Sequence, residues 1–472
     1  MGAPREVPWV VIGGGIAGLE AARLLGISEP GGVLLEATDR FGGIVRSDTW
    51  RGAVLDVGPD GWVAAKPQMR ALCIELGLGA EVVEPQPAAK KLLARVRNGL
   101  EPMPRGLKLT IPTTARAALG IAARDKGMAR RVLLEPLVTR KNWGDSHTDE
   151  SIGDFLRRRM GARWAREVSL PILAGIHSGD PDELSVRAAF PQFVEAEAAG
   201  SSLLGQAFAR RRAGEAGTFL SLRGGLGQLV NALVEAAAAA GDLRLNDPVR
   251  GVEGAGAGRA RVELLSGEIL DTSRVVVATG PRVGAQLLGA GAPALAAKLE
   301  EIPHGSAHVV IYALAEKHVA HTLDASGFIA IDRRAGGVVA ASFLSSKWPG
   351  RKPEGFVFVR AFLASGTHFD ANAATDAELA ARGLEELTPL LGLSGNPEKD
   401  WVRRFPRATP QPVVGHIARM YSARALQDQH PWLALVGAGY SGVGLGDALR
   451  SVHEGLARWG GPPFPSIHVA FR

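Results

Sequence analysis

A mixed α/β fold, α+β overall, is predicted by three features of the chain. Near the start, "VVIGGGIAGLEAARLL" runs from an apolar strand through a glycine turn into a helix. Near the end, "LALVGAGYSGVGLGDALRSVHEGLARW" repeats that arrangement. Between them, "LRGGLGQLVNALVEAAAAAG" reads as a loop and an amphipathic helix, and short strands follow, closing on the apolar run Val275 to Ala278. The 472 residues leave room for two or three domains around a large core. With 46% apolar and 22% charged residues, the composition is that of an ordinary soluble globular protein. The single cysteine, Cys73, excludes an internal disulfide and fits a reducing compartment. No apolar run reaches about 18 residues, and no charged-then-apolar leader precedes the first glycine turn, so a cytoplasmic protein is expected.

The first element, Val7 to Ile12, is short and apolar enough for a strand buried on both sides. Gly13 allows the tight turn after it, Gly15 lets backbone approach a pyrophosphate, and Gly18 lets helix and strand pack closely. Ile16 and Ala17 open the helix, whose positive end would face the phosphates. A second strand, "GVLLEA", ends at Glu36 and Ala37; Glu36 lies 23 residues after Gly13, where an acid usually holds a ribose hydroxyl. A glycine-rich turn alone is a weak signal. Strand, glycines, helix, strand and acid in register predict a Rossmann-like dinucleotide site.

The next residues, "LLEATDRFGGIVRSD", carry Glu36, Arg40, Gly42, Gly43 and Arg46. Paired glycines let the chain pass close to a cofactor, and two arginines balance a doubly charged pyrophosphate. This run resembles the ExxxRxGG signature of the FAD-dependent amine-oxidase-like superfamily, so non-covalent FAD is expected rather than NAD. Gly437, Gly439 and Gly442 make a second GxGxxG. Only 30 residues follow Gly442, and they include "GGPPFP", which leaves no place for the strand and acid of a second unit. The resemblance implies instead that this closing segment returns to the first unit and covers the flavin end of the same FAD. Gly437, Val443, Gly444 and Leu445 would lie there. It also places Ala278 at the cofactor and Val249 on the adenosine side. The expected cofactor domain is therefore discontinuous, at 1–86, 212–285 and 400–472.

Residues 87–211 are expected to form a helical, basic insertion facing membrane or substrate, and 286–399 a substrate-binding domain. Between Lys90 and Lys141 stand 13 Lys and Arg against 3 Asp and Glu. That excess of 10 exceeds the formal +6 of the whole chain, so the rest sums to −4 and the positive charge is local. A basic amphipathic surface suits anionic lipid headgroups or substrate carboxylates; its plain reading is a solvated helix face. No nucleic-acid-binding motif accompanies it.

"LPILAGIHSGDPDELSVRAAFPQF" resembles a segment of the oxygen-dependent porphyrinogen oxidases, whose usual form is GIYAGDPxxLSxxxxFP. Gly175, Ile176, Gly179, Asp180, Pro181, Leu184, Ser185, Phe190 and Pro191 match. "RFPRATPQPVVGH" agrees at Pro410, Gln411, Gly415 and His416, and the GYSGVGLGD turn agrees at Asp447. Two positions depart. His177 stands where an aromatic residue is usual, and Leu92 where the family commonly carries an arginine proposed to hold a substrate propionate. Lys91 and Arg95, on one face of an extended strand, are the expected substitutes, with Gly175 and His177 beside the substrate. The resemblance implies oxidation of protoporphyrinogen IX or coproporphyrinogen III to the porphyrin, in haem biosynthesis, with O2 as acceptor. The flavin carries the hydride step, so no catalytic side chain or metal site is expected, and His177, His304 and His416 read as structural. Two alternatives stay open: another amine-oxidase-like flavoenzyme (an amine oxidase or carotenoid desaturase), and an FAD-binding subunit without turnover.

Overall fold

The computed structural model describes residues 3–96, 99–103, 107–108, 111–112, 114, 125–145, 147–170, 173, 179–200, 202–205, 219–331 and 335–461. Strands Val10–Ile12 (β1), Gly32–Leu35 (β2), Gly241–Arg244 (β3), Val275–Val277 (β4) and Leu433–Leu435 (β5) form one parallel sheet. Their order across it is β3-β2-β1-β4-β5. Apart from β3, each is a Val/Leu/Ile-rich run buried throughout, as a sheet covered on both faces requires. Val11, Leu34, Val276 and Ala434 point into a layer of three helices, Ile16–Ser28 (α1), Gly227–Ala238 (α2) and Leu445–Leu456 (α3). Val10, Ile12, Val33, Val275 and Leu433 point the other way, onto strands Val249–Gly256 and Arg259–Leu264 and helices Pro281–Leu288 and Pro293–Glu300. Because every strand is parallel, the turns after β1 and β5 open on the same sheet edge, with the end of β4 between them.

A seven-stranded sheet runs in the order Lys399–Pro410, His304–Ala315, Phe356–Ala364, Gly337–Phe343, Gly327–Ala330, Leu93–Val96 and Gly99–Pro102. One face packs Val310, Tyr312, Phe328 and Val359 under helix Asp376–Leu391. The other packs Val309, Ile311 and Phe358 onto Trp50, Ala53 and Leu55 of a hairpin belonging to the first unit. Two runs lie elsewhere than their sequence neighbours indicated. Leu93–Val96 and Gly99–Pro102 pair into this sheet rather than into the helical stretch 87–211, and Lys399–Pro410 joins it rather than the segment 400–472. Their ladder partners are remote: Leu93 sits opposite Phe328, and Arg403 opposite Val309.

A third core gathers Phe155, Trp164, Phe190 and Phe193 among short helices, including Lys126–Leu133, Ile152–Met160 and Pro191–Ala198. Arg159, fully buried, lies between Glu135 and Glu197. Burial raises the Glu197 pKa, but bonds from Arg158 and Trp143 outweigh it and bring the carboxyl down to about 2.

Candidate active site

Gly13 turns the chain after β1 at φ 106°. A Cβ on Gly18 would lie 1.8 Å from the Gly13 carbonyl oxygen, so α1 and β1 can approach this closely only with glycine there. A Cβ on Gly15, by contrast, would meet nothing within 4 Å. Open space therefore stands beside the first turn of α1, which has no side-chain cap and no acidic residue. Ile16 and Ala17 bring the helix's uncompensated N–H groups and its positive end to this place. Gly43 packs 3.2 Å from the Gly15 Cα, measured from the Cβ it lacks, and the Gly42 N–H donates to the Gly14 carbonyl at 2.8 Å.

Arg40 donates to the carbonyls of Phe41 and Val45 at 3.1 and 3.2 Å, and to that of Gly43. Burial and the neighbouring Arg46 lower its pKa. Two cations held together beside bare glycines suit an anion. Arg46 also pairs with Asp48 at 2.8 Å. Glu36 accepts from the Gly14 N–H at 2.6 Å and from the Thr38 N–H and hydroxyl at 2.9 and 2.8 Å. The Asn246 and Asp247 N–H groups donate to the Thr38 and Glu36 carbonyls, which brings the strand that starts at Val249 beside Glu36 and Ala37.

The second glycine turn meets the first. A Cβ on Gly437 would lie 3.8 Å from the Ala17 Cβ and 3.7 Å from the Ala278 carbonyl. The Gly437 N–H is held by the Ser451 hydroxyl of α3 at 2.7 Å. Gly444 caps α3, its N–H donating to Asp447 at 3.3 Å, and Lys66 pairs with the same carboxylate. Val443 and Leu445 flank that cap. Thr279 Oγ1, Trp62 Nε1 and Gln68 Oε1 are buried and have no hydrogen-bond partner among the described residues. The open cradle at Gly15, the uncapped helix, the paired arginines and these orphaned atoms fit an elongated, dianionic dinucleotide with a polar ring at one end.

Across the seven-stranded sheet, register aligns Arg403, Val309, Phe362, Ala340, Ile329 and Ala94 on one face. It is the face turned toward the first unit, and Arg403 reaches Asp48 there at 3.1 Å. Two signature runs interlock nearby. The Ser185 N–H donates to the Pro412 carbonyl at 2.8 Å and the Val414 N–H to that of Glu183 at 2.9 Å. Asp149 ties both ends, accepting from the Ser185 hydroxyl and the Gly415 N–H at 2.9 Å each. A Cβ on Gly179 would sit 2.0 Å from the Gln411 amide oxygen, so this glycine makes room for that side chain. Burial and Arg419 lower the His416 pKa to about 4, and burial lowers that of His304, so both are neutral at pH 7.

The profile of flavin containing amine oxidoreductases matches residues 16–452. The chain belongs to that family. It is similar to coproporphyrinogen III oxidase from Propionibacterium freudenreichii, 32% identical over 94% of this chain and 89% of that protein. Human protoporphyrinogen oxidase is 28% identical over 94% of this chain and 96% of its own length. A solved structure assigned as a protoporphyrinogen oxidase, from Exiguobacterium sp. 255-15, superposes with a TM-score of 0.79 at 27% identity, covering 95% of this chain and 97% of that one. This flavoprotein is accordingly an FAD-dependent oxidoreductase.

Within the flavoprotein, Gly13, Gly15, Gly18, Gly42, Gly43, Ala278 and Gly437 come together at one sheet edge. Of the substrate residues read from sequence, Lys91 and Arg95 lie elsewhere. Lys91 precedes its strand and pairs with Asp324, while Arg95 pairs with Glu386 of the covering helix. Arg95 is engaged on the helix-covered side with Leu93, and Ala94 between them faces the other way. Gly175, Ile176 and His177 lie outside the described residues, as does the Lys90 side chain. Sequence reading passed over Lys66, Gln68 and Thr279, which carry no motif. Only the approach of Thr279 to Gly13 through the end of β4 could have flagged one of them.

Proposed function

We propose that this chain oxidises a porphyrinogen to its porphyrin in haem biosynthesis, with coproporphyrinogen III preferred to protoporphyrinogen IX and O2 as electron acceptor. The observation that carries this reading is end-to-end similarity to relatives named for that chemistry, the 32% identical one being a coproporphyrinogen III oxidase. FAD, when bound, supplies the hydride acceptor and the route to oxygen. Residues 1–86, 212–285 and the part of 400–472 beyond Pro410 would hold it. In this reading Gly13, Gly15, Ile16, Ala17 and Gly18 take the pyrophosphate with Arg40, Gly42, Gly43 and Arg46. Glu36, Ala37 and Val249 take the adenosine end, and Ala278, Gly437, Val443, Gly444 and Leu445 the flavin end. The association is non-covalent: Cys73 is wholly buried in helix Pro67–Glu75, its thiol pushed up to about 12 by burial. The apolar row from Val309 to Ala94 would hold the macrocycle, and Arg403, opposite Val309 in the same register, is a cation on that side for a carboxylate. The amine oxidase reading has no comparable support. The test is to add coproporphyrinogen III or protoporphyrinogen IX to the FAD-loaded protein in air and follow porphyrin fluorescence. A higher kcat/KM for coproporphyrinogen III is expected; the reverse order would reassign the substrate.

We also infer peripheral contact with an anionic membrane. No helix among the described residues is long and apolar enough to cross one. Much of the basic stretch is paired internally: Lys141 with Glu150, and Arg131 with the Arg158 and Arg159 carbonyls. Lys126, Arg130 and Arg140 are exposed and have no ion pair among the described residues. Beside them Leu133, Leu134 and Leu137 are 53%, 41% and 81% exposed. Positions 126, 130, 133, 134 and 137 follow one another on one side of the helix and its continuation. A ridge of leucines behind unpaired cations suits a headgroup layer with acyl chains beneath. Leu137→Asp should weaken sedimentation with anionic vesicles several-fold, and salt should weaken that of the parent protein. Equal binding of both proteins, or none by either, would assign the ridge elsewhere.

A further inference from the structure

We propose that Lys66 and Asp447 form an opposed pair of charges that sets the electrostatic potential at the flavin end of the FAD. Lys66 favours negative charge there, and Asp447 opposes it. The proposal rests on the placement of Val443, Gly444 and Leu445 at that end.

Lys66 follows the short strand Trp62–Val63 and precedes helix Pro67–Glu75. The fold brings it against the first turn of α3, 381 residues along the chain. Its Nζ pairs with Asp447, whose side chain is only 9% exposed, and stands 3.7 Å from where a Gly444 Cβ would be. The Lys66 Cβ lies 3.1 Å from the corresponding point on Gly446. The glycines of this turn are therefore what lets the lysine lie across the helix end. Asp447 also caps Gly444 and pairs with Arg450 at 3.2 Å. Arg450 is also drawn to Glu454 one turn further along, at 3.6 Å, which leaves Lys66 and Asp447 as the charges at the helix end itself, an end that is already positive.

A second observation marks the same segment as facing a ligand. Trp62, 3% exposed, has an indole N–H with no acceptor among the described residues, and Gln68 a buried amide oxygen with no donor. That oxygen is 3.7 Å from the Gly446 Cβ point. Trp62, Lys66 and Gln68 thus bring a donor, a cation and an acceptor to the turn that begins α3. A structural ion pair alone would leave no such unfilled capacity. Reduction adds negative charge to a flavin, and a fixed cation nearby stabilises that form over the oxidised one. Lys66 is 41% exposed, so solvent screens the effect and keeps it modest.

The test uses the full-length, FAD-loaded protein and three variants: Lys66→Met, Lys66→Arg and Asp447→Asn. The readouts are FAD content after acid release, midpoint potential, and affinity for sulfite, which adds to oxidised flavin and tracks its electrophilicity. Lys66→Met should keep its FAD, bind sulfite about tenfold more weakly and lower the potential. Asp447→Asn should shift both properties the opposite way, and Lys66→Arg should stay within about twofold of the parent. Since Asp447 is also a helix cap, the double variant Lys66→Met/Asp447→Asn provides a second check: its potential should return toward the parent value. Full FAD content with unchanged sulfite affinity in Lys66→Met would overturn the proposal. Absence of FAD from the parent protein would instead overturn the flavin reading beneath it.

Discussion

A Gly18→Val variant should be recovered without FAD and with markedly reduced stability. A Cβ at this position would lie 1.8 Å from the Gly13 carbonyl oxygen and 3.2 Å from the Ala278 side chain. Neither neighbour can yield. Gly13 is the turn itself, and Ala278 ends β4 in the centre of the parallel sheet. Gly18 is also buried among Leu19, Leu34 and Val276 on the helix-layer side, so α1 would have to lift off the sheet. Overpacking of a rigid core costs about 1–3 kcal/mol, and here backbone must move as well. Gly15→Ala is the informative companion. Its Cβ meets nothing within 4 Å and its φ of −71° suits any residue, so the chain should fold normally. Yet the open space it enters is the one assigned to the pyrophosphate, so FAD affinity should drop. The checks are FAD content after gel filtration and guanidinium unfolding of the apoprotein. A Gly18→Val protein with full FAD would show that the first turn is not the cofactor cradle.

Arg351→Met should lower unfolding free energy by about 3–5 kcal/mol, the range for breaking a buried ion pair from one side. Arg351 is 3% exposed and donates to Asp56 at 2.5 Å, to the Ser221 hydroxyl at 2.8 Å, and to the Leu222 carbonyl. Asp56, 2% exposed, also accepts from Ser47 at 2.5 Å and from the Leu226 N–H at 2.9 Å. Next to them Arg360 donates to the Asp56 carbonyl, and Asp60 binds Lys347 and Trp348 at 2.9 and 2.8 Å. Burial alone would raise the Asp60 pKa; Lys347 and Arg360 reverse that and hold it well below the usual carboxylate range. Asp56 and Ser221 belong to the segments assigned to the cofactor, whereas Arg351 and Arg360 come from the seven-stranded sheet and its connections. The network therefore fastens one unit to the other, and a methionine would leave Asp56 charged and buried without its cation. The double variant Arg351→Met/Asp56→Leu removes both charges and should recover much of the loss. Guanidinium unfolding curves decide it, and a loss below about 1 kcal/mol for Arg351→Met would mean the charges are solvated.

The parts of the site legible in the sequence are those whose function is local. β1, Gly13, Gly15, Gly18 and α1 are contiguous, so spacing alone carries their geometry. Gly437 could be placed against them because its strand, glycine turn and helix resemble the closing segment of the amine-oxidase-like superfamily. What was not legible depends on pairing between distant segments. Leu93–Val96 is an ordinary short strand until Phe328 fixes which face is which, and that face assignment puts Arg95 under a helix beside Glu386. Arg403, by contrast, lies in a polar run, "WVRRFPR", and only its place opposite Val309 turns it toward the first unit. Lys66 has no spacing signal at all; its meaning comes from Asp447 at the far end of the chain.

The most direct measurement of the central claim is rapid mixing of the FAD-loaded protein with coproporphyrinogen III in the absence of oxygen. Flavin absorbance should bleach while little porphyrin accumulates, because one flavin takes up only a single electron pair and the macrocycle must lose several, and admitting air should restore the flavin colour and start porphyrin formation. Flavin that stays oxidised in the presence of both coproporphyrinogen III and protoporphyrinogen IX, yet bleaches with an amine, would contradict the account.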